Sequence, residues 1–267
     1  MQSETDKKTI THIKRLIWLY FFLLIFEGTL RKWVLPGYSD ILLVIRDPVV
    51  LAIYFMAMKA RVFPTKGWVL WLGIIAVLSW LVSVVVLEPY LPLKPLLLVT
   101  GFGFRSNFLH LPLIFVIGKV FDQDDVIKLG KWVVIGLIPM CVLLAIQFNA
   151  APDAFINRTA GLGETHQITA GGGKIRPPGT FSFVSGVIFY AALSAAFLLY
   201  GALTRGVYRN WLLFSGGFAL VVTIGVSGSR SVLLAVLVVL SSMLAIIVFR
   251  PSAMNQFGRN LLIVVVG

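Results

Sequence analysis

The chain has 267 residues, of which 58% are hydrophobic and only 13% charged, with a formal net charge of +12. A soluble domain is nearer a quarter charged, so the composition excludes an ordinary soluble enzyme. The basic residues are spread over short links between apolar runs rather than gathered in one patch, which argues against a nucleic-acid partner and for the lipid bilayer.

A hydrocarbon core about 30 Å thick takes roughly 20 apolar residues as a helix. The first such run, Leu16–Leu30, follows Lys7, Lys8, Lys14 and Arg15 as a secretory signal would. No small-residue cleavage site follows it, while Glu27, Arg31 and Lys32 do, so it reads as an uncleaved first helix. Glu27 and Arg31 are spaced i, i+4 and are expected to make an ion pair at the membrane interface. The second run, Ile41–Met58, holds Arg46 and Asp47 inside a span, followed by Pro48, which tends to break or kink a helix. Adjacent helical residues point apart, so these two are expected to find partners on other helices or to line a cavity. The third run is Trp68–Leu87. The fourth, Leu96–Gly118, contains Arg105, Asn107 and His110, polar groups suited to bonding neighbouring helices or lining a cavity.

Asp122, Asp124 and Asp125 in "FDQDD" resemble the Asp-x-Asp of metal-dependent glycosyltransferases. They sit beside Lys128 and Lys131 on the expected cytoplasmic side and read as a solvated loop. The fifth run, Trp132–Phe148, contains Cys141, the single cysteine, which excludes an internal disulfide. His12, His110 and His166 show no ligand spacing, so no metal and no cofactor is expected. Residues 149–182 form the longest polar stretch, with a triple glycine at 171–173 and the pair Pro177–Pro178. His166 beside Glu164 is a lone loop histidine, and Asn157-Arg158-Thr159 matches a glycosylation acceptor.

Three further runs follow, Phe183–Leu203, Trp211–Ser227 and Val232–Phe249, and a ninth begins at Leu261 and reaches Gly267. A helix stopping there would leave backbone groups unsatisfied in lipid, so the protein is expected to continue or the chain to be a fragment. With the N-terminus cytoplasmic and the runs alternating, fourteen Lys and Arg fall on the cytoplasmic side and seven outside, and Arg46 and Arg105 lie within spans. That excess follows the positive-inside rule. The expected fold is an all-α polytopic transmembrane bundle, residues 1–267 forming one membrane domain, with about eight full spans and a partial ninth.

Two segments carry the candidate chemistry. In "GGGKIRPPGTFSFVSG", Pro177 and Pro178 hold an extended approach, Gly179 permits a tight turn, and Thr180 is expected to cap the helix that follows. Arg176 would then stand at the outer N-terminus of a helix, where free N–H groups and the positive dipole favour anions. A guanidinium grips a phosphate in two places. One helical hairpin later, "VSGSRSVLLA" puts Arg230 between two serines at the outer end of an adjacent span. The plainer alternative is a pair of interfacial arginines against lipid headgroups.

The order of "RPPGTF" and then "SGSRSVLLA" resembles the bacterial O-antigen polymerase and O-antigen ligase family over roughly Arg176–Phe249. Its members typically show an Arg-x-x-Gly-Thr-Phe entry and a Gly-Ser-Arg-Gly-like turn. This chain departs from that pattern at Val184–Ser185, where the family often has Pro-Asn, and at Ser231, where it has Gly. The resemblance implies a glycosyltransferase of surface polysaccharide assembly in the bacterial inner membrane. Arg176 and Arg230 would hold the diphosphate of an undecaprenyl-diphosphate-linked glycan, and the acceptor would be another glycan or lipid A core. It also implies further spans and a late extracytoplasmic loop carrying the remaining catalytic groups. Two other classes stay open on the residues alone. One is a transporter or channel, for which Arg46, Asp47, Arg105 and His110 speak; the other is a truncated, non-catalytic membrane protein.

Overall fold

A computed structural model describes residues 4–65, 67–161, 167–204 and 206–249. The ninth apolar run, and His166 with Glu164, lie outside the described residues. The described residues are nearly all α, 77% of them helical. In order the helices are α1 (Glu4–Thr29), α2 (Ser39–Leu42), α3 (Arg46–Lys59), α4 (Gly67–Leu87), α5 (Leu93–Phe104), α6 (Leu113–Val120), α7 (Gln123–Asn149), α8 (Val184–Leu203), α9 (Asn210–Val226) and α10 (Arg230–Phe249). Single π-helical turns follow α1 at Leu30–Val34 and α5 at Arg105–Leu109, and a small hairpin, β1 (Thr169–Gly171) with β2 (Lys174–Ile175), precedes α8.

Among the described residues five helical stretches are long and apolar enough to cross a membrane: Lys7–Val34, Pro36–Lys59, Val69–Leu87, Gln123–Asn149 and Val184–Leu203. Asn210–Val226 and Arg230–Ile246 are shorter apolar helices. The fourth apolar run differs from its expected form. It is not one helix but α5, a π turn, a bend at residues 110–112 and then α6. Pro112 supplies the reason, since it has no N–H to continue the ladder and stands at the N-cap of α6. The second run is interrupted too: α2 ends at Leu42, turns follow at 43–45, and α3 begins at Arg46. Pro48 in the first turn of α3 cannot donate to the Val44 carbonyl, which accepts from the Asp47 N–H at 3.0 Å instead.

The described residues gather into two compact units, one taking those up to Leu23 with those of Val44–Asp122, the other Leu24–Leu43 with those between Gln123 and Phe249. In the first unit α3 packs on α6 and α4 on α5. The buried side chains recur at helical spacing: Ile13, Ile17 and Tyr20 on α1, Val50, Ile53 and Ala57 on α3, Leu113, Val116 and Val120 on α6. Helix α4 is nearly bare, with only 6% of its apolar window buried. An apolar helix exposed all round is at home in lipid.

The second unit is a bundle in which α7 packs on α8 and α9, and α8 packs on α9 and α10. Its core includes the buried Leu137, Met140 and Leu144 of α7 and Val187, Ala191, Ala195 and Leu198 of α8. Small residues let the helices close in. A Cβ on Gly216 of α9 would stand 2.5 Å from Val134 Cγ1 and 3.0 Å from Leu198 Cδ2. Gly136 makes room for the Tyr190 hydroxyl, which donates to the Val133 carbonyl at 2.8 Å. At one end Tyr208 lies against Gly201 and Gly130, donates to the Ile127 carbonyl at 3.2 Å, and has its phenol pushed up to about 12 by burial.

Candidate functional site

The opposite end of the second unit carries the two sequence segments. Gly171, Gly172 and Gly173 turn the hairpin with φ of 104°, 59° and 72°, values that residues with a side chain rarely adopt. The Arg176 N–H donates to the Ile168 carbonyl at 2.7 Å, so the hairpin delivers Arg176 in a set position. Its side chain is half-buried, and its Nε is buried without a hydrogen-bond partner among the described residues. A buried donor left unmade costs about 1–3 kcal/mol, which an anion at this point would offset.

The Ser227–Arg230 turn meets that hairpin. A Cβ on Gly228 would stand 2.6 Å from Ala170 Cβ and 3.7 Å from Arg176 Cγ, and Gly228 has φ 58°. Both the close approach and the backbone conformation therefore require glycine. The Ser229 N–H donates to Ser227 Oγ at 3.3 Å, and Arg230, exposed, is the first residue of α10. The two segments that hold the candidate arginines are thus packed against each other at one helix end.

Thr180 does not cap α8. That helix starts at Val184 with Phe183 at its N-cap and no side-chain cap bond. Thr180 instead turns its hydroxyl to Met140 Sδ at 3.8 Å, and its carbonyl accepts from Thr29 Oγ1 at 3.4 Å. The bend at residues 181–183, ending in the extended Phe183, separates threonine from helix and puts the cap out of reach.

What secures the loop is a clasp made by the end of α1 and its π turn. Gly28 lies so close to the backbone of residues 180–182 that a Cβ there would overlap it. Lys32, only 1% exposed, donates from Nζ to the Gly179 carbonyl at 2.5 Å, with its ammonium 4.5 Å from the Trp33 ring centre. Arg31 donates to Ser182 Oγ at 2.9 Å, to the Ser39 carbonyl at 2.9 Å and to Glu27 Oε1 at 3.4 Å. The Glu27–Arg31 pair forms and is buried, with Arg31 also held by Ser182 of the loop and Ser39 of α2. From α7, Gln147 Oε1 accepts from the Gly179 N–H at 2.8 Å, while Gln147 Nε2 donates to the Ile156 carbonyl at 3.0 Å. Asn157 is 2% exposed and its amide donates to the carbonyls of Gln147 and Ala151, so it is shielded from any modifying enzyme in the folded chain.

No family model, curated protein or solved structure matches the chain.

Lys32, Gly28 and Gln147 were not singled out by their sequence context. Their signal is a cationic pair directly after a span and one amide closing an apolar run, both common at membrane interfaces.

The first unit has a polar cluster of its own. Asp47 takes a two-point contact from Arg105, through Nε and through Nη2 at 2.9 Å. His110 Nε2 lies 3.5 Å from Asp47 Oδ1, and its Nδ1 lies 3.4 Å from the Tyr20 hydroxyl. Arg46 stands over the Tyr20 ring, its Cζ 5.9 Å from the ring centre. The π turn after α5 brings Arg105 and His110 to one carboxylate, five residues apart as an α-helix would not align them. Asn107 stays exposed. Asp122 pairs with Lys14 at 2.9 Å. Among the described residues no group of three or more His, Cys, Asp or Glu is placed to hold a metal ion.

Proposed function

We propose that this chain is a membrane glycosyltransferase of surface polysaccharide assembly, akin to the O-antigen polymerases and ligases of the bacterial inner membrane. The reading places the N-terminus in the cytoplasm, with about eight full spans, and the Arg176 and Arg230 segments at the outer face. The observation that carries it is the close approach of the Gly228 turn to the hairpin, where an added Cβ would stand 2.6 Å from Ala170 Cβ and 3.7 Å from Arg176 Cγ, so that two motifs whose arginines are 54 residues apart in the chain pack together at the N-terminal end of α10. Such an end suits a diphosphate. In the proposed reaction an acceptor hydroxyl oxygen bonds to the anomeric carbon of the glycan as the bond from that carbon to the diphosphate oxygen breaks. The electron pair leaves on undecaprenyl diphosphate, and the hydroxyl proton passes to solvent or to a base. Fixed guanidinium groups stabilise the charge that gathers on the departing diphosphate.

In the bacterium that makes this protein, Arg176→Ala and Arg230→Ala are expected to abolish glycan transfer, seen as loss of the surface-polysaccharide ladder on gels, at unchanged protein level. Wild-type ladders in both variants would sink the assignment.

A further inference from the structure

Gly179 is held from every side. Its N–H is taken by Gln147, its carbonyl by Lys32, and the space a side chain would need is filled by Met140 Sδ, 2.6 Å from the position of a Cβ. Three residues earlier the Arg176 N–H is held by Ile168. Between the two anchors lie Pro177 and Pro178, both buried, whose rings fix φ. A segment with so little rotational freedom transmits the position of one end to the other.

The residue at the Gly179 end is an unusual choice for packing. A buried ammonium loses several kcal/mol of hydration, and a methionine of similar length would fill the same volume without that loss. What lysine adds is an N–H donor aimed at the Gly179 carbonyl. We infer that Lys32 is a positioning residue for the diphosphate site, setting through Gly179 and the rigid Pro177–Pro178 link where the Arg176 guanidinium stands. This rests on the glycan-transfer reading. Lys32 itself, sealed from solvent, does not touch substrate.

The test uses purified full-length protein in liposomes with an undecaprenyl-diphosphate-linked glycan as donor. Lys32→Met is expected to accumulate normally and to raise the donor KM roughly 10-fold with kcat within about twofold, because a lost ground-state grip appears in KM. Arg176→Lys weakens the same grip measurably. If Lys32 acts through Arg176, the double variant should bind donor no worse than Arg176→Lys alone. KM effects that multiply would overturn the inference, since they would mean an independent loss. A second readout needs no activity. With Cys141→Ala and Thr180→Cys, labelling by a membrane-impermeant maleimide should rise about 10-fold when Lys32→Met is added, as the hydrogen bond that holds the Gly179 carbonyl is lost. Unchanged labelling overturns the positioning role whatever the protein catalyses. Loss of transfer in Arg176→Ala with an unaltered KM in Lys32→Met would remove the role of Lys32 and leave the transferase reading standing. A wild-type protein that never uses the donor would remove the transferase reading, and the labelling alone would then decide whether Lys32 positions the loop.

Discussion

Two residues show how closely the second unit is fitted around its loop. Gly28 has no room for a methyl group, because the peptide backbone of Thr180–Ser182 occupies it. Backbone cannot step aside as a flexible side chain does, so Gly28→Ala is expected to cost about 3 kcal/mol, read as a lower melting temperature in detergent. Gly217 on α9 has nothing within 4 Å of a built Cβ, and Gly217→Ala serves as the control with no loss. In the first unit the decisive residue is Asp47, half-buried and gripped at two points by Arg105. Arg105→Gln leaves that carboxylate without its main counter-charge and is expected to destabilise by about 3 kcal/mol. The double variant Arg105→Gln with Asp47→Asn should recover at least about 1 kcal/mol of this. Equal melting temperatures for the single and double variants would show that the pair is not coupled.

At the scale of elements, the apolar runs were readable because lipid imposes length and hydrophobicity on each helix separately. The long polar stretch before α8 was legible as a special loop from its glycines and prolines. What could not be read was how residues far apart in the chain would meet. Thr180 has the composition of a helix cap, yet Met140 of α7 and Thr29 of α1 draw it away, and neither is near it in sequence. Arg105 and His110 are misaligned on an α-helix; the π turn that brings both to Asp47 leaves no mark in hydrophobic periodicity. Lys32 resembles any interfacial lysine until the loop is seen to cover it. The same contrast between elements predicts where substitutions matter. Leu144 of α7 is fully buried and Leu78 of α4 is 55% exposed. Leu144→Ala is expected to lower stability by about 2–4 kcal/mol, and Leu78→Ala, on a lipid-facing surface, to leave the melting temperature nearly unchanged.

At the scale of the whole molecule, several helices long enough to cross a membrane, and two distant arginine-bearing segments packed against each other, are the features on which the proposed function rests. A transporter reading draws on the Asp47–Arg105–His110 cluster, but a carboxylate already engaged by a guanidinium and approached by an imidazole is well satisfied as a structural tie. The Arg176 Nε is one of five buried side-chain polar atoms without a hydrogen-bond partner among the described residues, and the one that belongs to a charged group. The most direct measurement is transfer in liposomes holding only the purified full-length protein, an undecaprenyl-diphosphate-linked glycan and an acceptor, with the released undecaprenyl diphosphate counted. The account predicts one undecaprenyl diphosphate per glycan transferred, with the rate falling at least about 100-fold in Arg176→Ala. Donor left intact by the wild-type protein, or equal rates in the wild type and Arg176→Ala, would contradict it.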